Sequence, residues 1–172
     1  MDSKATPGAD SPRGRLTHLD EQGNARMVDV SAKARVRRTA RAEGRILLQP
    51  ETIRQLREGL LRKGDAFAVA RVAGIAAAKR TSELIPLCHN IRIDQVEVDL
   101  ALQEDGVSIH AFAVCTESTG IEMEALTAVS VAALTLYDMC KAVDREMKIV
   151  DVHLVEKTRA PAHAAPGESE GG

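Results

Sequence analysis

The chain has 172 residues, and its 23 lysines and arginines nearly balance its 25 aspartates and glutamates, leaving a formal charge of −2. This length favours a single domain, and the charge balance argues against a general binder of polyanions. Two Phe, one Tyr and no Trp are too few for the stacked aromatic platforms that hold single-stranded nucleic acid. Three cysteines without a CxxC pair indicate a reducing, intracellular environment rather than a disulfide framework.

The sequence predicts neither a targeting signal nor a membrane-spanning segment. The first 15 residues lack the apolar core of a secretory signal, and the longest uncharged stretch, residues 125–137, is shorter than the ~20 residues that span a bilayer. We therefore expect a cytoplasmic protein without membrane contact. Residues 1–15 and 158–172 are rich in Pro, Gly, Ser or charge, which predicts disordered tails on either side of one domain, residues 16–157.

The first element is a predicted strand. Residues 35–48 alternate between apolar and polar with a period of two, as in a half-buried strand. Its outer face carries four arginines, at positions 35, 37, 41 and 45. Pro50 opens a helix, because proline suits the first helical turn, and Gly64 is its expected C-terminal cap.

The remaining elements predict an antiparallel sheet with helices on one face. A second helix, rich in small residues, is expected over residues 65–84, with an aspartate as its N-cap. Alternating residues 96–102 and 107–113 flank a Glu-Asp-Gly turn, which is typical of a hairpin. A long apolar helix over 121–143 and a strand over 150–154 complete an α+β sandwich.

Polar side chains in this apolar helix are the strongest functional signal. Asp138 and Lys141 are three residues apart, so they share one helix face. They could form an ordinary exposed ion pair, or a carboxylate and amine that perform acid–base chemistry at a pocket edge. Glu122 and Glu124 begin the same helix, where acidic residues also favour the helix dipole.

Other polar motifs leave alternatives open. Cys88 and His89 could be a thiol nucleophile and its base, or a structural thiol beside a loop histidine. Lys63 precedes a glycine at a corner between helices, where backbone N–H groups could meet an anion, but no P-loop motif is present. The five histidines lack metal-ligand spacing, and by alternation His110 and His153 lie on outer strand faces. We therefore expect no metal site.

Taken together, the motifs identify a protein family much more specifically than any one of them does. The chain resembles the cyclic pyranopterin monophosphate synthase family of molybdenum cofactor biosynthesis, over residues 16–157. The resemblance rests on six segments in this order: MVDVSAK at 27–33, KGD at 63–65, AGIAAAK at 73–79, LIPLCH at 84–89, GIEMEALT at 120–127 and AALTLYDMCKAV at 132–143.

This resemblance implies a ferredoxin-like α+β subunit that assembles as a hexamer, a trimer of dimers, with active sites at subunit interfaces. It implies a lyase that converts 3',8-cyclo-7,8-dihydroguanosine 5'-triphosphate to cyclic pyranopterin monophosphate and pyrophosphate. No metal or redox cofactor and no nucleic-acid partner is implied.

The resemblance also assigns site residues. By position, the catalytic residues are Asp138, Lys63 and Lys141. The substrate-binding residues are Leu87, Cys88, His89, Met123 and Glu124, and in or near the pocket we expect Glu122, Arg38 and Lys33.

Two segments depart from the family pattern. Asn90 follows the Cys-His pair where many members have proline, and residues 158–161 replace a Gly-Gly-Lys-Ser-Gly type segment. Three other functions remain as hypotheses: a catalytically silent scaffold of the same fold, a nucleic-acid-binding module that uses the arginine face, and a thiol hydrolase centred on Cys88.

Overall fold

The computed structural model describes residue 22 and residues 24–161. Four strands form one antiparallel sheet in the order β2-β3-β1-β4, with helices between β1 and β2 and between β3 and β4. The α+β class and the antiparallel sheet are confirmed, and the ferredoxin-like designation stays a prediction. The elements are β1 (Val36–Leu47), α1 (Pro50–Glu58), α2 (Ala66–Ala78), α3 (Thr81–Leu84), β2 (Ile93–Leu102), β3 (Gly106–Glu117), α4 (Glu122–Cys140) and β4 (Lys148–Ala160).

Strand β1 lies in the middle of the sheet, and its alternation is confirmed. Ala40, Ala42 and Ile46 are buried under the helices, whereas Arg41 is exposed on the opposite face. Gly44 lets α4 approach closely, because a Cβ at this position would lie 2.8 Å from a methyl carbon of Val129. The small residues of β1 therefore fix how deeply α4 packs on the sheet.

Helix α4 is the central helix of the core. Ten of its 19 residues are buried, and it packs against β1, β3, β4 and α2. It is long and apolar enough to cross a membrane by length and composition, but half of it is buried inside the fold. Gly74 of α2 brings the two helices together, since a Cβ there would lie 2.8 Å from the Ala128 carbonyl oxygen.

Two predicted helix ends are corrected by the structure. Helix α1 ends before Gly59, which adopts the left-handed conformation (φ 66°) and donates its N–H to carbonyls of the last turn. The predicted cap, Gly64, lies five residues further on. The second helix ends at Ala78, whose carbonyl accepts a hydrogen bond from the Thr81 hydroxyl (3.0 Å), and a separate turn, α3, follows.

The last strand is longer than the alternation predicted. Strand β4 continues to Ala160 and pairs with β1 up to Arg37. The hydroxyls of Thr39 and Thr158 lie 2.7 Å apart across this pairing. The predicted boundary of the second tail at Thr158 is therefore too early by three residues. The predicted first tail, residues 16–21 of the predicted domain and residues 162–172 lie outside the described residues.

Candidate active site

The three predicted catalytic residues form one ionic cluster at the C-terminal end of α4. Lys141 Nζ lies 2.7 Å from Asp138 Oδ1, and Lys63 Nζ lies 2.7 Å from Asp138 Oδ2. Lys63 also donates to the backbone carbonyl of Asp138 at 2.7 Å. We call Lys63, Asp138 and Lys141 the lysine–aspartate cluster. All three side chains are roughly half exposed, so the cluster is open to a ligand.

The two lysines determine the protonation state of the carboxylate between them. Hydrogen bonds from Lys141 first, and then from Lys63, lower the pKa of Asp138 to about 2. The same contact with Asp138 raises the pKa of Lys141. At neutral pH the cluster therefore contains one fixed negative charge between two ammonium groups, with a net charge that favours an anion such as a phosphate.

The turn that presents Lys63 is built by its neighbours. Gly64 has a left-handed backbone (φ 88°), which glycine adopts without steric cost. Asp65 then caps α2, because its carboxylate accepts the N–H groups of Phe67 and Ala68, both at 3.0 Å. The sequence thus directs Lys63 towards α4 by a left-handed turn followed by a capped helix.

The predicted substrate-binding residues lie at the other end of α4. A cavity of about 330 Å³ opens between the start of α4, the loop after α3 and the segment before β1. We call this cavity the Glu124 pocket. Seven predicted residues line it: Lys33, Leu87, Cys88, His89, Glu122, Met123 and Glu124. The structure adds Val28, Val30, Thr119 and Gly120, which sequence reasoning had not singled out as pocket residues.

Glu124 is the buried acid of this pocket. It is 4% exposed, and burial raises its pKa to about 7, with a smaller contribution from Glu122. Burial also raises the pKa of the neighbouring Cys88 thiol, and the negative charge of Glu124 adds to that effect. A thiol with a raised pKa is a poor nucleophile at neutral pH, which argues against the thiol-hydrolase hypothesis.

His89 joins the pocket to the segment that precedes β1. Its Nε2 donates to the carbonyl oxygen of Val28 at 2.7 Å, so in a neutral ring Nδ1 carries the lone pair. His89 therefore holds the Val28 segment in place beside the cavity. Lys33, which follows in the same segment, also lines the cavity.

Arg38 and Lys157 flank the pocket. Arg38 does not line the cavity; its Nε and Nη2 donate to the carbonyls of Glu117 and Ser118 at 3.0 and 3.1 Å. Lys157 of β4 lies 3.1 Å from a carboxylate oxygen of Glu122. Local sequence patterns do not indicate Lys157, because its approach to α4 depends on the register of β4.

In a single chain the cluster and the pocket are far apart. Glu124 and Asp138 are 14 positions apart on one helix, which corresponds to about 21 Å along its axis. The fold thus brings together the three predicted catalytic residues, and separately seven of the eight predicted binding residues, but within one chain it does not bring the two groups together.

The remaining polar surface offers little support for the other hypotheses. Arg35, just before β1, and Arg41 and Arg45 of β1 each lie within 4 Å of a carboxylate, at 2.6, 3.7 and 2.7 Å, which reduces the positive charge available to a nucleic acid. His110 and His153 lie on the outer sheet face, as the alternation predicted. Among residues 22 and 24–161, no group of three or more His, Cys, Asp or Glu side chains could hold a metal ion.

Comparison with known proteins places these residues in a family. A family model described as the MoaC family matches residues 27–160. A cyclic pyranopterin monophosphate synthase of Heliobacterium modesticaldum is 57% identical over 145 residues, covering 83% of this chain and 91% of that protein. Cyclic pyranopterin monophosphate synthase 3 of Mycobacterium tuberculosis is 60% identical over 146 residues (84% and 82%), and the Streptomyces avermitilis synthase is 56% identical over 153 residues (89% of each). The chain therefore belongs to the MoaC family.

Proposed function

We propose that this chain is a cyclic pyranopterin monophosphate synthase that acts in molybdenum cofactor biosynthesis. Its substrate is the cyclised GTP derivative 3',8-cyclo-7,8-dihydroguanosine 5'-triphosphate, and its products are cyclic pyranopterin monophosphate and pyrophosphate. The observation that carries the proposal is the lysine–aspartate cluster: residues 75 positions apart in sequence meet at 2.7 Å, at the positions where the family resemblance requires them.

The cluster suits the phosphate chemistry of this reaction. A sugar hydroxyl gives up its proton and attacks the innermost phosphorus, the bond to the bridging oxygen breaks, and pyrophosphate leaves with the electron pair of that bond and takes up a proton. Ammonium groups next to the developing negative charge lower that barrier, and Lys63 and Lys141 supply two of them. Asp138, held ionised, keeps both lysines aligned.

The Glu124 pocket suits the ring chemistry. The purine-derived ring opens and new rings close, which requires protons to move at near-neutral pH. A buried carboxyl whose pKa is about 7 can both donate and accept a proton in that range. We assign Glu124 to proton transfer, with His89 and Met123 positioning the base-derived part of the substrate.

A complete active site requires two subunits. The cluster and the pocket lie about 21 Å apart on one helix, yet one substrate must meet both. Val69, Val72 and Leu134 are exposed apolar side chains on helices α2 and α4, which is typical of a surface that another chain covers. A second copy related by a two-fold axis perpendicular to α4 would run its α4 antiparallel and place its pocket beside the first cluster.

We accordingly propose a homo-oligomer, a hexamer made of three dimers, located in the cytoplasm. Size-exclusion chromatography with light scattering measures the assembly. A mass of six chains supports this architecture, and a stable monomer contradicts the shared site.

Turnover is tested by supplying the purified protein with the cyclised GTP derivative and following pyrophosphate release and pterin formation. Wild type should be active, and Lys63→Ala and Asp138→Asn should be inactive while still folded and assembled. Asp105→Asn is the matched control, since Asp105 also forms an exposed 2.7 Å ion pair, with Arg45, and belongs neither to the cluster nor to the pocket lining. An assembled wild type without turnover would favour the silent scaffold instead.

A further inference from the structure

One wall of the Glu124 pocket is held in place from behind by a residue outside the cavity. Thr119 and Gly120 line the pocket, in the short loop that joins β3 to α4. Carbonyl groups in such a loop have no partner in the sheet and must find one elsewhere. The carbonyl of Ser118, the first residue of this loop, and that of Glu117, the last residue of β3, accept hydrogen bonds from Arg38.

The geometry of Arg38 fits this clamping role better than a role as a ligand. Two of its three guanidinium nitrogens donate to the loop backbone, at 3.0 and 3.1 Å, and the side chain is partly buried. A planar guanidinium that binds two successive carbonyls fixes both the position and the orientation of the loop. Arg38 is absent from the residues that border the cavity.

The same loop also contacts the first residue of α4. The carboxylate of Glu122 packs against Gly120, in the space that a Cβ at this position would occupy. Glu122 is in turn paired with Lys157 at 3.1 Å. The wall of residues 118–120 thus contacts the Arg38 guanidinium at Ser118 and the Glu122 carboxylate at Gly120.

We propose that Arg38 is a positioning residue, which shapes the Glu124 pocket by holding the loop 118–120 and makes no contact with the substrate. The inference deepens the proposed function, and its activity measurement rests on that function. The measurement of loop order does not depend on it.

The test compares Arg38→Ala with Arg35→Ala in the full-length assembled protein. Arg35 is the matched control, because it is an arginine at the same end of β1 that binds the Glu117 side chain (2.6 Å) and the Thr116 carbonyl (3.3 Å). Amide hydrogen exchange of residues 119–122 is measured without substrate, and kcat and KM are measured with the cyclised GTP derivative. Arg38→Gln, which keeps one donor and loses the charge, serves if the alanine variant is unstable.

We expect exchange at residues 119–122 to rise roughly tenfold or more in Arg38→Ala, since hydrogen bonds from a charged donor are lost, and by less than about twofold in Arg35→Ala. Turnover should fall in the variant whose exchange rate rises. Arg38→Gln should lie between Arg38→Ala and wild type in both exchange rate and turnover. Loss of turnover with unchanged exchange would mean that Arg38 contacts the substrate, and faster exchange with normal turnover would mean that the clamp is dispensable. Either result overturns the inference.

A wild type without turnover contradicts the proposed function, while the exchange comparison still decides whether Arg38 holds the loop.

Discussion

The two ends of α4 place an acidic side chain in opposite environments. At the C-terminal end, Asp138 is exposed between two lysines, which lower its pKa to about 2. At the N-terminal end, Glu124 is buried, which raises its pKa to about 7. The same functional group is therefore permanently charged at one end of the helix and titrates near neutral pH at the other.

This contrast divides the chemistry between the two ends. When environments push the pKa values of two carboxyls apart, the groups are suited to different tasks. Asp138 cannot take up a proton at neutral pH while both lysines remain bound to it, so its role is to orient Lys63 and Lys141. Glu124 can exchange a proton in this range and is the better candidate for acid–base work.

The largest effect is expected from variants at the two ends of α4, and mixing them tests whether both ends serve one shared site. Asp138→Asn, which frees the two lysines that stabilise the developing charge, and Glu124→Gln, which removes the proton-transfer group, should each lower kcat/KM by roughly 10²–10⁴-fold. Mixing the two variants under conditions that exchange subunits should restore activity, since each mixed dimer then has one intact site. Random pairing yields about a quarter of the wild-type sites.

The controls for this experiment are mixtures that cannot complement each other. Asp138→Asn mixed with Lys63→Ala should stay inactive, because both changes fall in the same half of the site. If that mixture recovers activity, or if Asp138→Asn with Glu124→Gln does not, cluster and pocket do not meet across a two-fold interface.

A smaller effect concerns stability. Because the pKa of Glu124 is higher in the folded protein than in the unfolded chain, its contribution is fully present below about pH 4.5 and is lost as pH rises to about 7. Above that pH the buried carboxylate is charged and costs about 2 kcal/mol after allowance for solvent screening. Glu124→Gln should therefore raise Tm at pH 8 and leave it nearly unchanged at pH 4.5.

Thermal unfolding of both proteins at the two pH values measures this difference. Glu104→Gln, a change at an exposed glutamate of the hairpin turn, is the control and should show no pH-dependent gain. An equal Tm for wild type and Glu124→Gln at pH 8 would show that the charged carboxylate is well solvated in the pocket.

The contrast between the two ends also shows which features could be read from the sequence. The alternation of β1 predicted its buried face, because a period of two leaves no choice of side once Ala40, Ala42 and Ile46 are inside. The end of α1 was misplaced because Gly59 and Gly64 both adopt left-handed backbones. Residue type alone does not tell which of two nearby glycines ends the helix.

The site divides in the same way between local and long-range contacts. The ion pair of Asp138 with Lys141 follows from their spacing on one helix. The contact of Asp138 with Lys63, 75 positions away, and that of Glu122 with Lys157 depend on helix packing and sheet register. The family resemblance supplied Lys63 without its geometry, and local patterns could not supply Lys157.

The smallest expected effect concerns the two lysines that bind Asp138. Both hold the carboxylate in its charged form, and Lys141 contributes more than Lys63. Lys141→Met should therefore raise the pKa of Asp138 more than Lys63→Met does, each by up to about one unit. Carboxyl-carbon NMR of Asp138 over an acid titration measures the shift.

The direction of this shift fixes how acid affects the cluster. Because the pKa of Asp138 is lowered in the folded protein, the stability from its ion pairs is present above about pH 4 and is lost as pH falls to about 2. Removing either lysine should move that loss to higher pH. If Lys63→Met shifted the pKa more than Lys141→Met, the long-range contact would dominate over the one within the helix. Asp138 would then be held mainly by the turn between α1 and α2, and the geometry of the cluster would depend on that turn rather than on α4.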